Sequence, residues 1–286
     1  MIQSIGDFLV IYCMDGALAA GQMGALEVDR LTAQLFISLG GRLTVASRCP
    51  QAILPRCMGD FPISAPAITC AGGVVYDAAA GKVVRSEALP REEALAFVRG
   101  AAAAFRGVGI AAVGGDRTYL LRAGGEAQRW LAKERLSYIL APDEDTAGRW
   151  NELLLFGDGQ TLAQLQRFAL EGPYPDIALH QLEENVLCAL ARRVGADDAL
   201  HALCDYLGLA RENTVVIGAD YADIPLMRAA GSTIAFGGAP QEVRQCAGAL
   251  TGRSEDGGLA QALYGLLRKY GAAPQDAPLP GAEVSP

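Results

Sequence analysis

The residue types that could do chemistry are concentrated in a short acidic turn near the start of the chain. The stretch FLVIYCMDGAL, residues 8–18, begins with apolar residues that are typical of a buried strand and then reaches Asp15 and Gly16. In α/β proteins the turns that follow such strands hold ligands and reacting groups. A carboxylate there can act as a general acid or base, and the neighbouring Cys13 carries a thiol, which is nucleophilic once it is deprotonated. The sequence therefore indicates a candidate site at the end of the first strand.

The elements that must position this turn follow from hydrophobic periodicity in the first and last thirds of the chain. Strands and helices alternate there, which predicts a parallel sheet with right-handed crossovers and therefore an α/β fold. The predicted strands are 8–13, 42–46, 67–70, 214–218 and 232–236. The predicted helices are 27–38, 197–207, 223–230, 240–246 and 257–269.

The middle of the chain has a different organisation, with predicted strands in adjacent pairs. The strands are 108–113, 117–122, 152–156, 176–180 and 184–190, and the helices are 91–106, 124–134 and 160–170. This order is typical of an α+β module inserted into the parallel sheet. We therefore expect a core of residues 1–78 and 188–270, and an inserted module of residues 79–187. Residues 271–286 contain four prolines without apolar periodicity, and we expect them to form a disordered tail.

Composition and charge limit the classes of function. The 286-residue chain has a formal charge of −8 and an isoelectric point near 4.9, which argues against a general nucleic-acid or anionic-membrane surface. No apolar run approaches the ~18 residues that a membrane span needs, and the first residues lack a basic leader. Seven cysteines at irregular spacings and only two histidines favour reduced thiols over a disulfide framework or a zinc site. We therefore expect a cytoplasmic protein that binds neither nucleic acid nor membrane.

Four segments, in order, resemble the haloacid dehalogenase superfamily, and within it the Cof-type branch of sugar-phosphate and small-metabolite phosphatases. They are YCMDGAL at 12–18, LTVASR at 43–48, RRVGADDALHALCDYLGL at 192–209, and VVIGADYADIPLMRAAGSTIAFGGAPQEVRQCA at 215–247. The resemblance covers nearly the whole chain before the proline-rich tail, and the last segment is specific in length and pattern. It implies a Rossmann-like core with a parallel sheet, and an inserted α+β cap that covers the carboxyl ends of the core strands.

The resemblance also implies roles for the residues of the first turn. In such phosphatases this turn reads D-x-D-G-T; its first Asp attacks phosphorus and ligates Mg²⁺, and its second Asp is the general acid and base. The matching residues here are Cys13, Asp15 and Gly16, followed by Ala17. Asp15 is therefore the candidate catalytic acid and base. Cys13 stands at the nucleophile position, where we expect it to be inactive.

The other motifs of the family are altered in the same way. The hydroxyl that would grip the phosphoryl group lies one position late, at Ser47. The lysine of the third motif is matched by Ala196. In the Mg²⁺-binding turn G-D-x-x-N-D the first Asp is matched by Ala219, and the carboxylates that remain are Asp220 and Asp223. These two aspartates are candidate metal ligands if a metal binds at all.

The altered motifs lead to a main hypothesis and two rivals. Mg²⁺ is a hard cation that prefers carboxylate oxygen, which a thiol supplies poorly. We therefore expect no cofactor and no ordinary phosphatase activity, and a small-anion-binding, regulatory or structural protein. The first rival is a weak or altered Mg²⁺-dependent phosphatase that uses Asp15, Asp220 and Asp223. The second is a subunit whose active partner does the chemistry.

The groups that remain could hold a small anionic or phosphorylated metabolite, because backbone N–H groups and guanidiniums bind anions without a metal. The expected contacts come from Gly16, Ser47, Arg48, Arg192 and Arg193. Several alternatives stay open: side chains and water could fill the pocket, the two neighbouring arginines could form a solvated face, and Asp220 could slide by one residue to act for Ala219. The sequence identifies neither the ligand nor a protein partner.

Overall fold

The computed structural model describes residues 4–15, 26–49, 51–114, 117–133, 136–141 and 149–270. In this part of the chain, two β-sheets have helices packed on them. The strands of the first sheet are β1 Leu9–Cys13, β2 Arg42–Ala46, β3 Ala67–Thr69, β4 Val74–Asp77, β5 Lys82–Ser86, β12 Thr214–Gly218, β13 Ser232–Phe236 and β14 Ala249–Thr251. Their order across the sheet is β14-β13-β12-β1-β2-β3-β4-β5.

The first sheet is parallel from β14 to β3 and ends in an antiparallel hairpin, β4 and β5. The strand β1 lies in its interior, and all five of its residues, LVIYC, are buried. A continuous apolar run is what a strand needs when both faces of a parallel sheet are covered. The predicted α/β fold with a parallel sheet is confirmed.

Helices connect or cover these strands, and those of the described residues are α1 Glu27–Ser38, α2 Leu54–Met58, α3 Arg91–Ala104, α4 Gly125–Lys133, α5 Gly159–Glu171, α6 Ala196–Leu207, α7 Ile224–Ala229, α8 Gln241–Gln245 and α9 Gly258–Lys269. Asp158 caps the start of α5, because its carboxylate accepts the Thr161 N–H at 2.7 Å. Gly208 ends α6 with φ 64°, a left-handed conformation that glycine adopts without strain. No helix among them has the length and apolarity to cross a membrane.

The inserted part of the chain carries the second sheet, which is mostly antiparallel. Its strands are β6 Gly109–Gly114, β7 Arg117–Arg122, β8 Ile139–Leu140, β9 Glu152–Phe156, β10 Ile177–Glu183 and β11 Val186–Ala191, in the order β10-β11-β9-β6-β7-β8. Successive side chains of a strand point to opposite faces. On β11, Leu187 and Ala189 pack with α3 and α5, whereas Cys188 and Leu190 pack toward the first sheet.

Sheet membership places the limits of the inserted module later than the sequence prediction did. The strand β5 pairs with β4 in the first sheet, although the predicted module begins at residue 79. The strand β11 pairs with β9 in the second sheet, although the predicted core resumes at residue 188. The physical reason is that Val84 of β5 packs against the α6 side of the core. The segments that join the two sheets are residues 87–90 and 192–195. The predicted tail, residues 271–286, lies outside the described residues.

A fully buried carboxyl group lies where the two sheets meet. Glu152 is the first residue of β9 and has no exposed surface. Within the described structure, neither of its carboxyl oxygens meets a nitrogen or oxygen partner. Its polar neighbours are the thiols of Cys70, which follows β3, and Cys188, which lies in β11. Burial raises the pKa of Glu152 to about 8, since thiols are weak donors that offset little of the desolvation cost.

We predict that Glu152 makes the protein less stable as the pH rises through neutrality. The unfolded side chain loses its proton near its ordinary pKa of 4.5, whereas the folded one keeps it up to about 8. The stability that comes from this difference is complete below the unfolded pKa and is lost as the pH rises to the folded pKa, by roughly 1.4 kcal/mol for each pH unit. Glu152→Gln removes this dependence.

Urea unfolding of the wild type and Glu152→Gln at a series of pH values measures the effect. The unfolding free energy of the variant, relative to the wild type, should increase steadily between about pH 5 and pH 8. A free-energy difference that stays constant over this range would show that the pKa of Glu152 is not raised.

Candidate functional site

The carboxyl ends of three neighbouring strands meet at one edge of the first sheet. The strand β1 lies between β12 and β2, and all three run in the same direction. Cys13 at the end of β1 is opposite Ala46 of β2, and Tyr12 is opposite Ile217 of β12. The turns that follow these strands therefore share one cleft, which is where open α/β sheets bind ligands.

Asp15 is the centre of a network of short hydrogen bonds in this cleft. Its Oδ1 accepts the Ser47 hydroxyl at 2.5 Å. Its Oδ2 accepts the backbone N–H of Arg48 at 2.6 Å and the Nε–H of the same residue at 3.2 Å. Hydrogen bonds to an ionised acceptor are among the strong ones in proteins. The Ser47 and Arg48 donors, which we expected to bind a phosphate, therefore donate hydrogen bonds to Asp15.

The Arg48 guanidinium joins two loops of the cleft. Its Nη2 lies 3.7 Å from Oδ2 of Asp220, in the loop after β12, while its Nε contacts Asp15 in the turn after β1. The three side chains are only 27, 23 and 34% exposed, in the order Arg48, Asp15 and Asp220. A planar, permanently charged group between two carboxylates offsets their mutual repulsion. The Arg48 charge therefore offsets part of the negative charge of the cleft.

Asp223 is held by the turn that carries it. Its Oδ2 accepts the backbone N–H groups of Ala219 and Asp220 at 2.8 and 2.9 Å. Glycine fits closely at Gly218, because a Cβ there would lie 2.6 Å from the sulfur of Met227 and 3.1 Å from the Cβ of Asp223. Burial raises the pKa of Asp223, the two N–H groups oppose the increase, and the other cleft carboxylates add to it. The Asp223 carboxylate is thus hydrogen-bonded to the backbone of its own turn.

Cys13 lies beneath these carboxylates and is only 2% exposed. Burial raises the pKa of its thiol well above the ordinary value, the charges of Asp223 and Asp15 raise it further, and the thiol is hydrogen-bonded to Asp223. Because the thiolate is the reactive form, a neutral buried thiol is a poor nucleophile. These contacts favour the inactive interpretation of the nucleophile position.

The donor set of the cleft does not fit Mg²⁺. This ion needs near-octahedral oxygen coordination that includes carboxylates. Cys13 and Ala219 provide no carboxylate at the two positions that the resemblance gives to the metal, and Asp15 and Asp223 are already hydrogen-bonded. Across the described residues, no group of three His, Cys, Asp or Glu side chains could hold a metal ion. The assignment of Asp220 and Asp223 as metal ligands has no support from their contacts.

The two arginines of the third motif lie away from this network. Arg192 donates hydrogen bonds to the backbone carbonyls of Pro175 and Ile177, and Arg193 forms an ion pair with Glu87 at 2.5 Å. These contacts differ from the predicted phosphate contacts, because both arginines belong to the segment that joins β11 to α6 and are held by the second sheet and by the other joining segment. Neither replaces the missing lysine in the described contacts.

The two remaining motif positions are Ala196, which the structure describes, and Gly16, which it does not. Ala196 is the first residue of α6, at the helix start where the resemblance places a lysine, and it packs against an apolar cluster of the first sheet. The position therefore contributes no charge. Gly16 lies outside the described residues, so its backbone contact with an anion stays a prediction.

One residue of the cleft was not found from the sequence. His180 of β10 is paired with Cys188 of β11, so its side chain is on the face of the second sheet that is directed toward the first. Although His180 is exposed at the surface, partial desolvation of its ring lowers its pKa, and the positive charges of Arg48 and Arg192 lower it further. The imidazole is therefore mostly neutral at neutral pH. The signal in the sequence was weak, since a lone histidine in a strand has no motif.

A comparison with protein families covers the part of the chain that carries all these turns. Residues 10–263 match the sequence model of the haloacid dehalogenase-like hydrolases. The chain belongs to the haloacid dehalogenase-like hydrolase family. The match spans both sheets, so the first sheet with its helices is the core of such a protein and the second sheet with its helices is the cap.

Solved structures of similar fold cover nearly the whole chain. A haloacid dehalogenase-like hydrolase from Bacteroides thetaiotaomicron is 19% identical with a TM-score of 0.75, over 91% of this chain and 99% of that one. A phosphatase of the same superfamily from that organism is 15% identical with a TM-score of 0.71, over 93% and 96%. A candidate phosphatase from Haemophilus influenzae is 22% identical over 135 residues, which are 46% of this chain and 51% of its own length. Identities of this size to solved structures show the fold alone.

We predict that Cys13 resists alkylation in the folded haloacid dehalogenase-like protein, because its thiol is buried and neutral. Iodoacetamide followed by peptide mass spectrometry should modify Cys246, which is partly exposed, well before Cys13. In urea both cysteines should react. Labelling of Cys13 as fast as Cys246 in the folded protein would instead identify it as a reactive thiolate.

Proposed function

We propose that this protein is a haloacid dehalogenase-like family member that does not hydrolyse phosphate monoesters and acts by binding a small anionic metabolite. The observation that carries the proposal is the Arg48 guanidinium between Asp15 and Asp220. It offsets part of the negative charge of the cleft and hydrogen-bonds the carboxylate that the family would use as general acid and base. A ligand that binds this cleft meets the Arg48 cation beside these carboxylates and no activated nucleophile.

The losses at the other catalytic positions reinforce this proposal. Uncatalysed phosphate-monoester hydrolysis is so slow that enzymes accelerate it by up to ~10²¹-fold. A neutral Cys13 thiol supplies no anionic nucleophile, and Ala196 supplies no cation for the transferring phosphoryl group. Each such loss typically costs ~10²–10⁴ in rate, although the losses are not additive.

The state of Asp15 also opposes catalysis. A general base must accept a proton from water or from a hydroxyl, and so it needs a free lone pair that faces the reacting atom. The two Asp15 oxygens already accept three hydrogen bonds, one from Ser47 and two from Arg48. Of the roughly four lone-pair sites of a carboxylate, these contacts leave Asp15 about one with which to accept a proton.

The ligand class and the compartment are part of the proposal. A phosphatase is among the proteins of similar fold, which supports a small phosphorylated or otherwise anionic ligand. His180 of the cap, neutral and facing the core, is placed to offer such a ligand a hydrogen bond. All seven cysteines are free thiols, which supports a reducing compartment, and we propose the cytoplasm.

Restoration of the missing groups tests the proposed loss of hydrolysis. With p-nitrophenyl phosphate and Mg²⁺, the wild type should give no turnover above the buffer. The triple variant Cys13→Asp, Ala196→Lys and Ala219→Asp should restore measurable turnover, and Cys13→Asp alone should restore little, because the groups act as a unit.

The control is Asp15→Asn, which should abolish the turnover of the triple variant. Wild-type turnover comparable to that of an ordinary phosphatase, and lost in Asp15→Asn, would overturn the proposal. It would favour the rival function, a Mg²⁺-dependent phosphatase that uses Asp15, Asp220 and Asp223.

A further inference from the structure

A second cavity lies between the two segments that join core and cap. It measures about 730 Å³, and both joining segments contribute to its wall. We call it the linker cavity; its residues used below are Glu87, Arg91, Arg149, Trp150, Asp176 and Arg193. Its volume is within the roughly 300–1,000 Å³ that is usual for small-molecule sites. It borders β5, at the edge of the first sheet, and is separated from the turn of Asp15 by β2, β3 and β4.

The arginines around the linker cavity outnumber its carboxylates by one. Three guanidiniums, those of Arg91, Arg149 and Arg193, face two carboxylates, Glu87 and Asp176. Glu87 is also paired with Arg85, at 3.5 Å, and therefore keeps a cation if Arg193 turns toward a ligand. The chain as a whole has a formal charge of −8, so a local excess of arginines is unusual for it. Guanidiniums at the wall of a cavity can bind an anion.

Trp150 contributes to the wall of the linker cavity. It is 4% exposed, and its indole nitrogen is buried without an acceptor in the described structure, so the nitrogen itself does not open onto the cavity. The ring provides an apolar wall together with Leu89, Pro90 and Ala94. The cavity thus combines cations and apolar surface.

We propose that the linker cavity binds a small organic anion through a carboxylate or phosphate group, independently of the catalytic cleft. The guanidiniums of Arg149 and Arg193 hold the oxyanion, and the apolar wall covers the body of the molecule. Because the ligand contacts both joining segments, its binding favours one orientation of the cap relative to the core. The site therefore couples an anionic metabolite to the closure of the cleft, whether or not the cleft hydrolyses anything.

The two tryptophans give a site-specific test. A proton–nitrogen correlation spectrum of the full chain shows one indole signal from Trp130 and one from Trp150, and Trp130→Phe assigns them. Titration with citrate, and separately with inorganic phosphate, at constant ionic strength should shift the Trp150 signal in a saturable manner. The Trp130 signal, which comes from a ring packed on Phe156 at 5.5 Å, should not move.

Single substitutions separate the linker cavity from other sites. Arg149→Ala and Arg193→Ala should each weaken the anion affinity measured at Trp150 about tenfold, the loss of one charge-assisted contact. Arg167→Ala, an exposed arginine of α5 outside the cavity, should leave it unchanged. Arg48→Ala should also leave it unchanged, which keeps this site distinct from the proposed function.

Three results would overturn the proposal. The first is a Trp150 signal that does not shift with either anion, and the second is an anion affinity in Arg149→Ala and Arg193→Ala equal to that of the wild type. The third is loss of the shift in Arg48→Ala. Arg149 and Arg193 are both exposed, so their alanine variants are expected to fold. Retention of the Trp130 chemical shift in each variant confirms that the core of the cap is intact.

Discussion

The cleft of this protein depends on one guanidinium that satisfies two carboxylates from different loops. Arg48 follows β2, Asp15 follows β1 and Asp220 follows β12, so the side chain of Arg48 reaches across the central strand to join both neighbours. Without a cation, the negative charges of the two carboxylates would repel one another and oppose the approach of their loops. With Arg48 in place, the turns can approach and Ser47 can bind Asp15, although Cys13 and Ala196 stand where the resemblance places the nucleophile and the lysine.

The fold was predictable where apolar residues recur in a clear pattern. The strands at 9–13, 42–46, 152–156, 214–218 and 232–236 carry enough apolar residues to be recognised from the sequence, and the helix at 27–38 shows helical periodicity. The hairpin of β4 and β5 was missed because its strands are short and only partly buried, so that tertiary pairing, and not pattern, decides their structure. That omission also moved the predicted start of the cap too early.

The sequence was enough to predict which turns meet at the candidate site. It was not enough to predict which side chains form hydrogen bonds and ion pairs there. The predicted residues Asp15, Ser47, Arg48, Asp220 and Asp223 do gather at one edge of the sheet. The direction of Arg48 depends on the distance between loops, which spacing along the chain does not contain. Arg192 and Arg193 lie away from the Asp15 network for the same reason, since the path of the second joining segment is set by β11. Glu152 gave no signal, because a glutamate at the start of a strand is normally exposed.

If Arg48, and not a metal ion, supplies the positive charge of the cleft, Mg²⁺ should find no tight site in the wild-type protein. Titration calorimetry measures this directly. The expected result is no binding at micromolar affinity, because Cys13 and Ala219 provide no carboxylates and the aspartates that remain are already hydrogen-bonded. One Mg²⁺ bound per chain at micromolar affinity, and lost in Asp220→Ala, would contradict the role of Arg48.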